Sequence, residues 1–389
     1  MLKGKHILLG ITGSIAAYKT PDIARRLIEH GASIQTVMTE AASKFIPPYT
    51  LEAITGNRAH IDLFEDPFSH IELSKKADLF LIAPATANTI NKISCGIADN
   101  LLSNLMLTYE GPVVCAPAMN CRMYRNPLVQ KNIKKLKKRG VTFVGPEKGN
   151  LACGDEGEGR LSETGVIVEA VVRALSGKDL QGETILVTAG PTRESIDAVR
   201  YISNRSSGKM GYAIALAAIR RGAEVTLISG PSSEEPPDGV HFQSVETAAE
   251  MEKTVLTHIN KSSALIMAAA VSDIASAKPA KGKLGKNEIV ELKLTKTADI
   301  LKKAGEQKKK GILIGFAAES GKDIKSAQEK LKKKNLDLIV LNDISKKGSG
   351  FDVDTNEITI IDKKGKISEY PLMQKIEAAD IILDRLLSK

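Results

Sequence analysis

Residues 186–211, LVTAGPTRESIDAVRYISNRSSGKMG, constrain the fold more than any other stretch of this chain. An apolar run gives way to a long polar loop that restarts as an amphipathic segment. That order predicts a buried strand, a crossover and a helix, the repeating unit of an open parallel sheet. The strand is expected over 183–188, with Gly190 and Pro191 as its stop. Ser206 or Ser207 is expected as the N-cap of a helix running towards Gly222, with Met210, Ile214, Ala217 and Ala218 on its apolar face. Free amides at that helix start, two hydroxyls, the close approach allowed by Gly208 and the charge of Lys209 make an anion site, with phosphate as the obvious anion. An ordinary capped helix after a solvated loop is the alternative for this element taken alone. The preceding loop crowds Thr192, Arg193, Glu194, Asp197, Arg200, Asn204 and Arg205 together, more polar groups than a mere connection needs.

The first half repeats the theme. Residues 6–12 read as a buried strand, followed by GSIAAYK and an amphipathic helix that Gly31 can stop. Gly13 permits close backbone approach and Ser14 can cap the helix while contacting an anion, although the turn is not GxGxxG. Further strands are expected over 33–38, ending at Thr39, over 78–83, ending in APATANTIN, and over 112–116, running into PAMNCRMYRNP. Ligands of open parallel sheets bind beyond the carboxyl ends of the strands, so these loops should converge on one crevice suited to a flat aromatic cofactor. His70 in PFSHIELS and Asn120 after the fourth strand each also have a purely structural reading. Residues 149–160, GNLACGDEGEGR, read as a mobile flap that could present Cys153 as an acid, or else as a surface loop with an incidental thiol. Ser162 is expected to cap a helix through Leu175 that closes the domain.

A chain of 389 residues exceeds the usual single core, and two domains are expected, 1–180 and 182–389. No apolar run approaches the ~20 residues needed to span a bilayer. The start, MLKGKHILLGITG, enters a strand directly without the features of a secretory signal, so a soluble, cytoplasmic protein is expected. The four cysteines include no CxxC pair, which favours neither a disulfide framework nor a zinc site. The net charge of +9 suits nucleic acid or phosphorylated small molecules. Lysines gather in helical stretches such as 131–139, 302–310 and 330–334, and aromatics make up only 4%, which argues against nucleic acid.

These residues resemble a known family over nearly the whole chain: the bifunctional phosphopantothenoylcysteine decarboxylase/phosphopantothenate–cysteine ligases of bacterial coenzyme A synthesis. GITGSIAAYK, His70, ATAN, ADNLL, PAMNCRM and LACGDEGEGR stand in the order of the flavin-dependent decarboxylase. TAGPTRE, DAVRYISN, SSGKMG, AAAVSD and GFAAE look like the ligase. Tyr124 departs from the family's usual Trp, and KGKLGK departs from its KxKK run. The resemblance implies a flavodoxin-like FMN-binding domain followed by a Rossmann-like α/β ligase domain, acting ligase first, in a homo-oligomer without nucleic-acid or membrane partners.

For the decarboxylase, the resemblance implies FMN with its phosphate at Gly13 and Ser14, its ring near Thr86, Asn88 and Met119, and Thr39 also in the cofactor set. Oxidation of the cysteinyl thiol to a thioaldehyde would create the electron sink for loss of carbon dioxide. Cys153 would then protonate carbon, His70 would assist the oxidative half, and Asn120 would hold the departing carboxylate. For the ligase, it implies attack of 4'-phosphopantothenate on CTP, giving an acyl-cytidylate that the amine of cysteine opens. Asp273 would hold Mg²⁺ against the triphosphate, Lys283 would offset phosphate charge, and Lys330 and Lys334 would face one anion. Asp299 and Phe316 would lie near base and ribose, with Met267, Ala268, Ala269, Ala298, Ile300 and Leu301 completing the nucleotide set and Asn204 serving turnover of the intermediate. Two rivals are a non-enzymatic flavin-binding regulator and an NAD(P)-dependent reductase. Against the first, His70, Asn120 and Cys153 are all present; against the second, neither turn has the full dinucleotide fingerprint.

Overall fold

Short, nearly uninterrupted apolar runs recur along both halves, and such runs form strands buried on both faces of a parallel sheet. A computed structural model describes residues 2–387 except 66–67, 153, 286–290, 320, 322, 344, 347, 349 and 351. The chain divides into two compact units, Met1–Ser176 and Gly177–Lys389.

In the first unit, β1 (His6–Ile11), β2 (Ser33–Met38), β3 (Ala59–His60), β4 (Leu79–Ala85), β5 (Val113–Pro117) and β6 (Thr142–Phe143) form one sheet in the order β3-β2-β1-β4-β5-β6. Every pairing is parallel. Alternate residues of β1 serve opposite faces. Ile7, Leu9 and Ile11 join Ile23 and Leu27 of the helix Thr20–Glu29 and Ile167 and Val171 of the helix Thr164–Leu175. Leu8 packs on the other side with Phe80, Ile82, Ile90 and Leu102. This is the layered flavodoxin-like arrangement expected. Two-residue strands such as β3 and β6 carry too few positions for a period to register in sequence. The chain winds one way from β1 and the other way from β4, so the two strands diverge at a topological switch point.

The run 147–160, which reads in sequence as a mobile flap or a surface loop, is an antiparallel hairpin of β7 (Glu147–Asn150) and β8 (Glu156–Arg160). Ser162 does not cap the last helix; Glu163 is the N-cap residue, without a side-chain cap bond, and Ser162 is buried beside Gly145.

The second unit is built on β9 (Thr184–Ala189), β12 (Glu224–Ser229), β13 (His241–Ser244), β14 (Ala264–Met267), β17 (Ile312–Glu319), β18 (Leu338–Asp343), β19 (Thr355–Asp362) and β20 (Ile367–Gln374). Their order is β13-β12-β9-β14-β17-β18-β19-β20, parallel up to β18 and antiparallel beyond it. Its switch point lies between β9 and β14. Two ribbons stand outside the sheet, β10 (Arg193–Ser195) with β11 (Tyr201–Ser203), and β15 (Ile274–Ser276) with β16 (Leu294–Lys296). The helix Lys209–Arg220 buries Ile214, Ala217 and Ala218 as expected, but its N-cap is Gly208 at φ 84°, not Ser206 or Ser207. Glycine suits this position because its φ is left-handed and because a Cβ there would lie 3.0 Å from the Ser232 hydroxyl and 3.2 Å from the Gly190 nitrogen. Among the described residues no helix is long and apolar enough to cross a membrane.

Candidate active sites

In the first unit, hydrogen bonds stitch the turn after β1 to the loop after β4 across the switch point. The Thr12 hydroxyl donates to the Pro84 carbonyl at 2.7 Å and accepts from the Thr86 amide at 3.0 Å. Thr20 reaches the Ala83 carbonyl at 3.2 Å, and the Ala118 amide reaches the Ala85 carbonyl at 3.1 Å. Three helical segments start at these strand ends, capped by Ser14, Thr39 and Thr86, each accepting from an amide two or three residues on. Helix starts present amides and partial positive charge, which suits an anionic group. A Cβ on Gly13 would fall 2.5 Å from that of Ala41, so the turn can approach the next helix only as glycine. Asn88 is exposed in the first turn after Thr86, and Met119 is half-buried.

The β7–β8 hairpin is docked on the loop after β5. A Cβ on Gly159 would lie 2.2 Å from the Met119 carbonyl oxygen and one on Gly157 would lie 2.8 Å from Cys121 Cβ. The Met119 amide donates to the Gly159 carbonyl at 3.0 Å. These two glycines therefore serve close packing, a different task from the mobility read in sequence. The tip closes by the Leu151 amide on the Asp155 carbonyl at 2.8 Å, and Asn120 Nδ2 donates to Asp155 Oδ2 at 2.9 Å. Asn120 Oδ1 accepts from the Arg122 amide at 2.8 Å, so its side chain is also the N-cap of Cys121–Arg125. A substrate carboxylate would compete with Asp155 for the amide. Cys153 belongs to this tip in sequence and lies outside the described residues.

His70 is on the helix Ser69–Lys76, and its carbonyl accepts from the Thr108 hydroxyl at 3.0 Å. Among the described residues, its Nδ1 and the Ser69 hydroxyl are buried without a hydrogen-bond partner. Such groups cost about 1–3 kcal/mol each, which makes a bound partner chemically reasonable there. Tyr124 is half-buried against the core and keeps an aromatic ring at the family's Trp position.

In the second unit a cavity of about 540 Å³ opens at the carboxyl ends of β14, β17 and β18. Its wall contains Met267, Ala268, Ala269, Asp273, Ala298, Asp299, Ile300, Leu301, Phe316, Lys330, Lys334 and Asn204 together, residues from widely separated parts of the chain. Five cations, Arg205, Lys209, Lys330, Lys334 and Lys375, face it against two carboxylates, Asp273 and Asp299. Lys283 is exposed and does not line it. The sequence pattern did not single out Lys375, because a lysine opening a helix after a strand looks like any solvated one.

Lys334 pairs with Asp299 at 2.9 Å and Lys330 with Glu319 at 2.5 Å. Burial would raise the Asp299 carboxyl, but Lys334 and the Lys302 amide hold it below the usual carboxylate range. Asp273 is exposed at the mouth, and among the described residues no group of three potential metal ligands forms.

The crowded loop after β9 divides by task. Thr192 Oγ1 accepts from the Ser272 amide at 3.0 Å, Glu194 from the buried Ala248 amide at 2.8 Å, and Asp197 from the amides of Val199, Arg200 and Leu284. Arg193 stacks on the Tyr201 ring at 4.6 Å. These residues build the scaffold, whereas Asn204 and Arg205 reach the cavity. Asn204 Nδ2 donates to the carbonyls of Val271 at 2.9 Å and Ala270 at 3.3 Å, fastening the loop to the end of β14.

Comparison with known proteins matches the two units separately. The flavoprotein family profile covers residues 1–176, and that of the DNA/pantothenate metabolism flavoprotein C-terminal domain covers 180–389. The Coenzyme A biosynthesis bifunctional protein CoaBC of Bacillus subtilis is 42% identical over 99% of this chain and 97% of its own. That of Vibrio parahaemolyticus is 46% identical over 94% of each. A crystal structure of the C-terminal domain of a CoaBC protein shares 42% identity over 54% of this chain and 96% of that one, with a TM-score of 0.47.

Proposed function

Because this chain belongs to the bifunctional flavoproteins of coenzyme A biosynthesis, we propose that its units catalyse successive steps, an amide ligation in residues 182–389 and a decarboxylation in residues 1–180. The ligase joins the carboxylate of 4'-phosphopantothenate to the amine of cysteine. A carboxylate resists amines at neutral pH, so CTP first converts it to an acyl-cytidylate with release of pyrophosphate. The observation that carries this reading is the single cavity that gathers Met267, Asp273, Asp299, Phe316, Lys330 and Lys334. Asp273 and the triphosphate together would hold Mg²⁺, an ion that takes few protein ligands and keeps phosphate oxygens and waters. Asn204 orients the acyl group for cysteine, and Lys283, outside the cavity wall, offsets charge on the triphosphate.

The decarboxylase releases the cysteinyl carboxylate to leave 4'-phosphopantetheine. The residues around β1 and β4 fit FMN: three capped helix starts and a glycine pressed on Ala41 make an anion cradle, and His70 keeps a buried nitrogen without a partner among the described residues. When bound, FMN would supply the two-electron oxidation of the cysteinyl CH2–SH to a thiocarbonyl, the electron sink one carbon beyond the carboxylate-bearing carbon, and would afterwards return the two electrons. Gly13, Ser14 and Thr39 receive its phosphate side, and Thr86, Asn88 and Met119 its ring. His70 moves or orients the thiol proton, Asn120 holds the carboxylate, and Cys153 delivers the final proton to carbon. The active protein is a homo-oligomer.

Purified protein should be yellow, and with 4'-phosphopantothenate, cysteine, CTP and Mg²⁺ it should release pyrophosphate and carbon dioxide in equal amounts. Equal turnover with ATP would remove the CTP assignment. A colourless protein that does not take up FMN would remove the flavin assignment.

A further inference from the structure

Asn120 stands just beyond the carboxyl end of β5, and its side-chain amide already holds a carboxylate. Nδ2 donates to Asp155 Oδ2 at 2.9 Å. Oδ1 accepts from the Arg122 amide at 2.8 Å, which fixes the group so that its nitrogen, not its oxygen, faces the hairpin tip. Both side chains are half-buried, so water can take over either end of this bond. The hairpin does not depend on it. The base is docked by the Met119 amide on the Gly159 carbonyl at 3.0 Å and by Gly157 against Cys121. The tip is closed by backbone bonds, the Leu151 amide on the Asp155 carbonyl at 2.8 Å and the Gly154 amide on the Leu151 carbonyl at 2.9 Å. The Asp155 carboxylate can therefore leave Asn120 while the backbone that carries it stays in place.

We propose that Asp155 is an internal competitor for the substrate carboxylate at Asn120, and that this competition strains the bound carboxylate towards departure. The inference rests on the decarboxylase reading, in which Asn120 holds the carboxylate that is lost. Two carboxylates on one amide nitrogen repel each other, so the two bonds are alternatives. Bound substrate displaces Asp155 and remains beside its charge, which weakens the ground state. When the carbon–carbon bond breaks, its electron pair passes to the thiocarbonyl sulfur and the carboxylate leaves as neutral carbon dioxide. The negative charge thus moves away from Asp155, the repulsion ends, and Asp155 recovers the Asn120 amide. Those gains arise only as the reaction proceeds, so they raise the rate at the expense of affinity. Asp155 acts through Asn120 and is a positioning residue. A purely structural contact predicts the opposite sign, since its removal would loosen the site and weaken binding.

The test uses the full-length, flavin-loaded protein. Binding is read from the perturbation of the flavin spectrum, which reports the first unit alone. The probes are 4'-phosphopantothenoylserine, in which a hydroxyl replaces the thiol so that nothing reacts, and 4'-phosphopantothenoylethanolamine, which also lacks the carboxylate. The rate is carbon dioxide release from 4'-phosphopantothenoylcysteine in a single turnover. Asp155→Ala should bind the serine compound about 3–10-fold tighter, a charge-assisted contact discounted for half-burial. Its affinity for the ethanolamine compound should stay within about 2-fold, and carbon dioxide release should slow by a factor similar to the gain in affinity. Asp155→Asn keeps an acceptor in place without the charge and should shift the same way by less; it decides the matter if Asp155→Ala does not retain flavin. A wild type that releases no carbon dioxide, or an Asn120→Ala variant that binds the serine compound as wild type does, overturns the decarboxylase reading of Asn120 and the competitor together. Where Asn120→Ala weakens binding, the competitor alone is overturned by Asp155 variants that bind the serine compound no tighter, tighten on both compounds equally, or gain affinity at an unchanged rate.

Discussion

Gly159→Ala tests whether the glycine-rich run is a docked hairpin. Gly159 is buried in β8, and a Cβ built there lies 2.2 Å from the Met119 carbonyl oxygen, 3.2 Å from the Cys121 nitrogen and 3.3 Å from the Met119 carbonyl carbon. All three are backbone atoms, so no rotamer change relieves the contact. Overpacking of this kind costs about 1–3 kcal/mol. The strands must also part enough to break the Met119 amide bond to Gly159, a further ~1 kcal/mol. Together these give about 2–4 kcal/mol, which for a unit of this size lowers Tm by roughly 5–15 °C. Differential scanning calorimetry should place that shift on the transition of residues 1–176, with the other unit unmoved. Carbon dioxide release should fall by about 10-fold or more, because the hairpin tip that meets Asn120 through Asp155 is displaced. Ligation should keep its rate. A variant that melts within about 2 °C of wild type and decarboxylates normally would refute the docking argument.

Gly13→Ala places a methyl 2.5 Å from Ala41 Cβ and should lower FMN retention, read from the visible absorbance of the purified variant, while ligation is unchanged; full flavin content would count against the cradle. Asn204→Asp would set a carboxylate oxygen against the carbonyls of Val271 and Ala270, so pyrophosphate release should survive while acyl-cytidylate accumulates; an unaltered ligation rate removes Asn204 from that step. Burial alone would raise the Asp337 carboxyl, but Lys308 at 2.5 Å, the Leu313 amide at 2.9 Å and Lys363 at 3.0 Å hold it below the ordinary range. Its contribution is therefore present above the ordinary carboxylate pKa and is lost as pH falls through the depressed value. Asp337→Asn should be less stable to urea than wild type at neutral pH, and the difference should shrink as pH falls through the depressed value; a pH-independent difference would show that charge is not the cause.

Much of the architecture was legible locally. The apolar runs at 6–12, 33–38 and 183–188 mark strands because burial on both faces demands consecutive apolar residues, and the loops that follow them carry the chemistry because parallel strands all end on one side. The order of these runs was also enough to expect one crevice in the first half. Which residue caps a helix was less legible: Ser206, Ser207 and Ser162 are good caps by type, but the backbone places Gly208 and Glu163 at those positions. The glycines of 149–160 suggested mobility when taken alone, whereas Gly157 and Gly159 are close-packed because Met119 and Cys121 lie against them. Likewise, the polar crowd of 192–205 could not be sorted in sequence, since Glu194 and Asp197 spend their carboxylates on amides at 248 and 284. What the sequence by itself determined was the succession of strands and helices and the loops in which ligand contacts could arise, because periodicity and turn chemistry act within a few residues. Only the tertiary structure decided which polar groups were left for ligands and that Lys375 is buried beside Lys209, because burial and charge are set by neighbours that the chain brings together from far apart.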